Sequence, residues 1–276
     1  MITLCRTWCM NSKLFPKGMS SFLLGVLFAL YLLILNRCSS KKYVLGKTTI
    51  GTTEITNQRT VSSTTSCLIE TLGGDPNNDM YGAWPVCTNI MPKNPIVYSF
   101  GIGSDVTFDI DLKQRFNASI FCFDPTIEST AFEQIRKNET GLLFKQFGLG
   151  QNDEVINFYR SNDPKTRSLV STPGLQGYRR NPHLKAPVLK LSTLLAIYKH
   201  SWVDLIKMDI EGGEYNVLGG VDLVALPASQ VLVEFHSRFF PDGWRMQKQL
   251  TQKFENSGWK LAHESKNKEE VVFIRI

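Results

Sequence analysis

The sequence predicts an α/β domain with a mostly parallel sheet, occupying the C-terminal two thirds of the chain. Two observations carry this. From about residue 92 onward, apolar runs of strand length alternate with stretches of helical periodicity. Several of these runs end in glycine or an acid, as at Gly101-Ile102-Gly103, Asp124-Pro125 and Asp209-Ile210-Glu211-Gly212-Gly213. Those are the positions where parallel strands open onto a ligand crevice.

The elements follow in order. Residues 95–100 form an apolar strand that ends in Gly101-Ile102-Gly103, and residues 106–116 have helical spacing. Residues 119–123 read as a second buried strand, 128–137 as a helix and 142–147 as a third strand. Residues 155–159 make a short extra strand. Residues 160–187, rich in Pro, Gly, Ser and Arg, read as a long loop, and loops of that length are usually functional or disordered. A helix is expected over 191–199, the fourth strand over 203–208, and a short helix over 214–219 that Gly219-Gly220 stops. The fifth strand covers 231–236. A helix over 244–256 stops at Gly258, and residues 259–264 and 271–276 form a terminal hairpin.

The 276 residues suit one or two domains. A hydrophobic share of 42% with 20% charged residues describes a globular protein, and the net charge of +6 is mild. No element gathers the basic residues that nucleic-acid binding needs. The nearest stretch, residues 178–185, reads as a solvated loop or as one that attracts an acidic substrate.

Residues 19–35 are uninterruptedly apolar, at the short end of the roughly 17–25 residues that cross a bilayer. The run ends Leu35-Asn36-Arg37-Cys38, a poor cleavage site, so an uncleaved anchor is expected over 19–36 in preference to a cleaved signal or a core helix. Flanking charges do not settle orientation. A cytosolic tail over 1–18 and a lumenal bulk are favoured on three grounds. Asn117-Ala118-Ser119 and Asn138-Glu139-Thr140 are N-glycosylation patterns. Ser and Thr dominate residues 48–66, so 37–79 read as a disordered tether, O-glycosylated or plain. Cys67 and Cys87 flank a Gly/Pro/Asn-rich segment and suit a disulfide in an oxidising compartment. Cys5 and Cys9 precede the anchor, Cys38 follows it at a position open to palmitoylation, and Cys122 reads as an inert core thiol.

The chemistry concentrates at strand ends. Glycines at 101 and 103 let a ligand approach the backbone, next to a helix N-terminus that favours negative charge. Asp124 follows Gly101 by 23 residues. Nucleotide-binding folds place a ribose-binding acid about 20 residues on. Asp209 and Glu211 sit at a bend where burial for packing alone would be costly. His236 reads as a structural histidine, a general base or a metal ligand. Asp209, Glu211, Glu234 and His236 offer donors that suit Mg²⁺ or Mn²⁺, but a metal is not favoured and no metal ligand is assigned. Glu214 reads alternatively as a cap of the helix it begins.

These words occur in the order seen in FkbM-like, S-adenosylmethionine-dependent methyltransferases. The carriers are Gly101-Ile102-Gly103, Phe123-Asp124-Pro125, Asp209-Ile210-Glu211-Gly212-Gly213-Glu214 and Val233-Glu234-Phe235-His236. Residues 97–103 and Trp84-Pro85-Val86-Cys87 most resemble the membrane-tethered animal group methyltransferase-like twenty-four. The resemblance covers about residues 80–276. It implies a Rossmann-like class I methyltransferase fold, a seven-stranded sheet with an antiparallel terminal hairpin. It also implies S-adenosylmethionine as cofactor, with Gly101, Gly103 and Asp124 binding it. Asp209 would serve both cofactor and chemistry, and Glu211, Glu234 and His236 would complete the methyl-transfer crevice. One departure stands out: many class I enzymes carry an acid two residues before the first glycine, where this chain has Ser99.

The expectation is therefore a membrane-anchored enzyme of the secretory pathway, in Golgi or ER or released as a secreted form. It would O-methylate a glycan or small polar acceptor. The alternatives are a lumenal glycosyltransferase, for which Asp109-Ile110-Asp111 is a formal DxD word, and a non-catalytic binding protein of the same fold.

Overall fold

The computed structural model describes residues 66–75, 80–103, 105–126, 141–163 and 169–276. The expected tail and anchor, most of the stalk, the sequon at Asn138 and the helix over 128–137 lie outside these residues. Among the described residues no helix is long and apolar enough to cross a membrane.

The chain first forms an antiparallel pair, β1 (Ile69–Leu72) and β2 (Trp84–Cys87). It then enters β3 (Ile96–Phe100), α1 (Thr107–Phe116), β4 (Ser119–Phe123) and β5 (Leu142–Lys145). A small second sheet follows, from β6 (Gly148–Leu149), β7 (Glu154–Arg160), β8 (Leu169–Val170) and β9 (Leu184–Leu189). The main sheet resumes through α2 (Leu191–Tyr198), β10 (Val203–Met208), α3 (Glu214–Gly220), β11 (Ala228–Glu234) and α4 (Gly243–Asn256). It ends in the hairpin β12 (Trp259–Glu264) and β13 (Glu270–Arg275).

The main sheet has seven strands in the order β12-β13-β11-β10-β3-β4-β5. Neighbouring pairs from β11 to β5 are parallel, and β13 inserts antiparallel between β11 and β12. The chain moves outward from β3 through β4 to β5, then returns to place β10 on the other side of β3. The order reverses at β3 and β10, and the crevice therefore lies beyond their C-terminal ends. Gly101 and Asp209 are the residues that leave those two strands.

Period-two alternation sorts the core. Tyr98, Phe100, Phe121 and Phe123 form an aromatic layer with Tyr198 on one face, Phe100 stacking on Phe123 at 4.9 Å. Val97, Ile120, Cys122 and Leu205 face the other way and pack beneath Phe108 and Leu112 of α1. Ser99 and Lys207 share that second face and sit opposite one another in the β3–β10 register.

Two departures from expectation shape the site. β1 falls within the stretch read as stalk. A disulfide joins Cys67 to Cys87, Gly73 N–H donates to Asp111, and Arg115 pairs with Glu70 at 2.6 Å. Those tertiary ties hold a four-residue strand that carries little signal of its own. The first four residues of β9 fall within the stretch read as loop. It pairs antiparallel with β7, and Pro187, opposite Val155, masks its strand character.

Candidate functional site

Gly101, Gly103, Asp124, Asp209, Glu211, Glu234 and His236 line one cavity of about 540 Å³. Tyr81 and Trp84 of the N-terminal pair, Asp109, Lys207 and Arg238 contribute to the same wall, and Ile156, Phe158 and Val188 bring apolar side chains from the small sheet.

The two glycines do different work. Gly101 has φ +71, and a Cβ there would lie 1.5 Å from the Asp209 carbonyl oxygen. The packing of β3 against β10 by itself therefore requires glycine at this position. Gly103 has φ +53, and a Cβ there would meet no atom within 4 Å. The space beside its backbone opens into the cavity.

Asp124 is buried at the end of β4. Its Oδ2 accepts from Gly103 N–H at 3.0 Å, and its Oδ1 accepts from the Thr126 N–H and hydroxyl at 2.8 and 2.7 Å. The carboxylate is locked in place across the glycine turn.

Lys207, to which sequence reasoning gave no role, is nearly fully buried. Its Nζ donates to the Gly101 carbonyl at 2.6 Å, stands 3.5 Å from Asp209 Oδ2, and lies 4.7 Å above the Trp84 ring. The available signal was a lysine inside the apolar run Leu205-Ile206-Lys207-Met208. Asp109, also missed as a pocket residue, projects from α1 into the core, and burial pushes its carboxyl up to about 6 against the pull of Lys207. The buried Ser99 hydroxyl faces this carboxyl and, with Lys207, works against the rise. Asp111 turns to the Gly73 amide, so the two acids of the DxD word serve separate partners.

The acidic corner is built by a bend, a helix start and a strand end. Glu214 is fully buried and does not cap its own helix. Its Oε1 accepts from the Ile210 N–H at 2.9 Å and meets His236 Nδ1 at 3.0 Å, drawing β10 and β11 together. The opposite ring nitrogen, His236 Nε2, faces Glu211 at 3.4 Å, Glu234 at 3.6 Å and Asp209 at 3.8 Å. Burial alone would lower the affinity of His236 for a proton. The hydrogen bond to Glu214 and the charges of Glu214, Glu234 and Glu211 outweigh it and raise the pKa to about 10. Burial lifts Glu211 to about 7, with His236 opposing and Asp209 adding. Burial and the charge of Asp209 likewise raise Glu234. These carboxylates titrate near neutrality, where a general base works best.

Glu211 holds a left-handed backbone at φ 54, a conformation costing about 1 kcal/mol for a residue with a side chain. Its carboxylate is also crowded by like charges. Glu211→Gly is therefore expected to melt at or above the temperature of the parent while losing turnover. A fall of several degrees in a thermal melt would show that Glu211 is retained for the fold.

No curated protein sequence matches the chain. Among solved structures it is similar to the Methanococcus jannaschii fibrillarin pre-rRNA processing protein, at 8% identity and TM-score 0.40 over 67% of each chain. It is similar also to a methyltransferase from Pyrococcus furiosus, at 11% identity and TM-score 0.34 over 67% of this chain and 76% of that one. A fibrillarin/Nop5p complex matches at 11% identity and TM-score 0.40, over 67% and 75%. The family model described as Methyltransferase FkbM domain matches residues 96–261, from the first residue of β3 into β12. That span exceeds half of the 276 residues and contains the glycine turn, Asp124 and the whole acidic corner, and the chain therefore belongs to the FkbM methyltransferase domain family.

Proposed function

We propose that the domain transfers a methyl group from S-adenosylmethionine to a hydroxyl of a glycan or small polar molecule. The observation that carries this is one cavity lined by the glycine turn, by Asp124 and by the acidic corner together. Its volume falls in the roughly 300–1,000 Å³ range of small-molecule pockets.

The cofactor supplies an electrophilic methyl on a sulfonium. Asp124, fixed by its three hydrogen bonds, keeps an acceptor face of Oδ2 for the ribose hydroxyls, and Gly103 lets the adenosine approach. Lys207 holds the turn through the Gly101 carbonyl and orients Asp209. At the corner, Asp209, Glu211 and Glu234 would hold the acceptor hydroxyl in line with the methyl group, which would leave the cofactor's sulfur for the acceptor oxygen. Glu211 or Glu234 would take the proton that this hydroxyl gives up. The protein's share is position, exclusion of water and a base of suitable strength.

The setting is part of the proposal. The Cys67–Cys87 disulfide suits an oxidising compartment. Asn117, in a sequon, is exposed at the C-cap of α1, accessible to N-glycosylation. Together with the apolar run over 19–35 these support a single-pass protein with its domain in the lumen of Golgi or ER. The separate partners of Asp109 and Asp111 count against the glycosyltransferase alternative.

Gly103→Ala supplies the test. The added methyl meets no protein atom, so stability is expected to fall by only about 1 kcal/mol, the cost of a left-handed alanine. The methyl occupies space the ligand needs, and affinity for S-adenosylmethionine is expected to fall at least tenfold. Calorimetric titration of the full chain in detergent reads both variants. No binding by the parent at millimolar cofactor, or equal binding by Gly103→Ala, would count against the proposal.

A further inference from the structure

We propose that Asp209, Glu234 and His236 form a binding site for one divalent transition-metal ion of the Mn²⁺ kind, at the catalytic end of the cavity. Binding of the ion stands on the geometry alone, whereas its use in the reaction rests on the methyltransferase reading.

Carboxylates gathered on a surface would carry nothing by themselves. Here they converge on an imidazole that is about 1% exposed. Its Nδ1 is held by Glu214, a carboxylate with no exposure of its own. That second carboxylate fixes the ring so that Nε2 points into the cluster, the arrangement by which metal-binding histidines are oriented. Nε2 makes no hydrogen bond with any described residue. An imidazolium N–H aimed at a carboxylate would close to about 2.7–2.9 Å. The nearest oxygen instead stands at 3.4 Å, and the others at 3.6 and 3.8 Å.

Those separations suit ligands around an ion. One donor atom from each of Asp209, Glu234 and His236 lies within 4.8 Å of the other two. With edges of 3.6 and 3.8 Å and a third of at most 4.8 Å, the point equidistant from all three is about 2.4 Å or less from each. That bound reaches the bond lengths of a divalent ion held by nitrogen and oxygen. Asp209 turns its other oxygen, Oδ2, to Lys207, which leaves Oδ1 for the ion. Mixed nitrogen and oxygen donors favour a first-row ion over Mg²⁺ or Ca²⁺, which prefer oxygen alone. Three protein ligands leave positions open toward the cavity. An acceptor hydroxyl bound there loses its proton more readily, and Glu211, 3.4 Å from Nε2, lies beside it to take that proton.

The experiment titrates MnCl₂ into the full chain in detergent and follows free Mn²⁺ by its paramagnetic resonance signal. One ion per chain with micromolar affinity is expected, with weaker competition from equimolar Mg²⁺ than from Zn²⁺. Glu234→Gln and His236→Gln should each lower Mn²⁺ affinity at least tenfold, whereas Glu255→Gln on the exposed face of α4 should not. A thermal melt is run on each: a folded Glu234→Gln that still binds Mn²⁺ as the parent does overturns the proposal, as does no binding by the parent at 1 mM. The two readings fail separately. Methyl transfer that survives chelation, with no Mn²⁺ bound, removes the metal and leaves the methyltransferase. Stoichiometric Mn²⁺ without cofactor binding does the reverse.

Discussion

Gly101→Ala is expected to abolish the folded domain. The alanine Cβ would lie 1.5 Å from the Asp209 carbonyl oxygen and 2.6 Å from its carbon. Both are backbone atoms, so no rotamer change relieves the overlap, and β3 must separate from β10 where the two strands end. The φ of +71 adds a further cost of about 1–2 kcal/mol. The sum should exceed about 4–5 kcal/mol, the range reserved for loss of a special backbone position or of core packing. A marginally stable domain does not survive this. Circular dichroism should show no cooperative melt. A variant that melts within a few degrees of the parent would mean that β3 and β10 do not meet as described.

Lys207→Met should cost about 3 kcal/mol near pH 8, in the range for breaking a buried ionic partnership. Methionine fills the space but leaves the Gly101 carbonyl unbonded and Asp109 without its opposing charge. The sign of the pH dependence follows from Asp109. Its carboxyl in the folded protein, at about 6, titrates above the ordinary 3.8 because burial disfavours the charge. The folded state therefore holds a proton that the unfolded state has released, and this group's contribution to stability declines as pH rises from about 4 through 6. Without Lys207 the largest opposition to the rise is gone, the folded pKa climbs further, and the decline extends to higher pH. The deficit of Lys207→Met should thus be smaller at pH 5 than at pH 8 in urea denaturation. A deficit independent of pH would mean that Asp109 and Lys207 do not communicate.

Much of this architecture is written locally. Runs such as Ile96–Phe100 and Val231–Val233 are apolar because their strands are buried on both faces, and such a short buried strand betrays itself by composition. The acids and glycines that end these runs lie at strand termini, which the topology then gathers at one crevice. For that reason Asp124, Asp209, Glu211, Glu234 and His236 could be named together from sequence. What escaped depends on partners remote in the chain. β1 and β2 exist through a disulfide and through bonds to α1, not through periodicity. β9 hides behind Pro187. The reason for glycine at 101 is a carbonyl 108 residues away, visible only once β3 and β10 are adjacent. Asp109 looked like half of a sugar-nucleotide motif because its word was read along the chain. Its neighbours across the sheet are Ser99 and Lys207.

The central claim is that one cavity receives the adenosine cofactor between the glycine turn and Asp124, with its reactive end toward Asp209. Hydrogen exchange of the full chain, with and without S-adenosylhomocysteine, tests it most directly. The account predicts slowed exchange in peptides covering 101–103, 124–126 and 209–213, and unchanged exchange in α4 and β12. Unaltered exchange in the first two segments at saturating ligand, or protection confined to the β12–β13 hairpin, would contradict it.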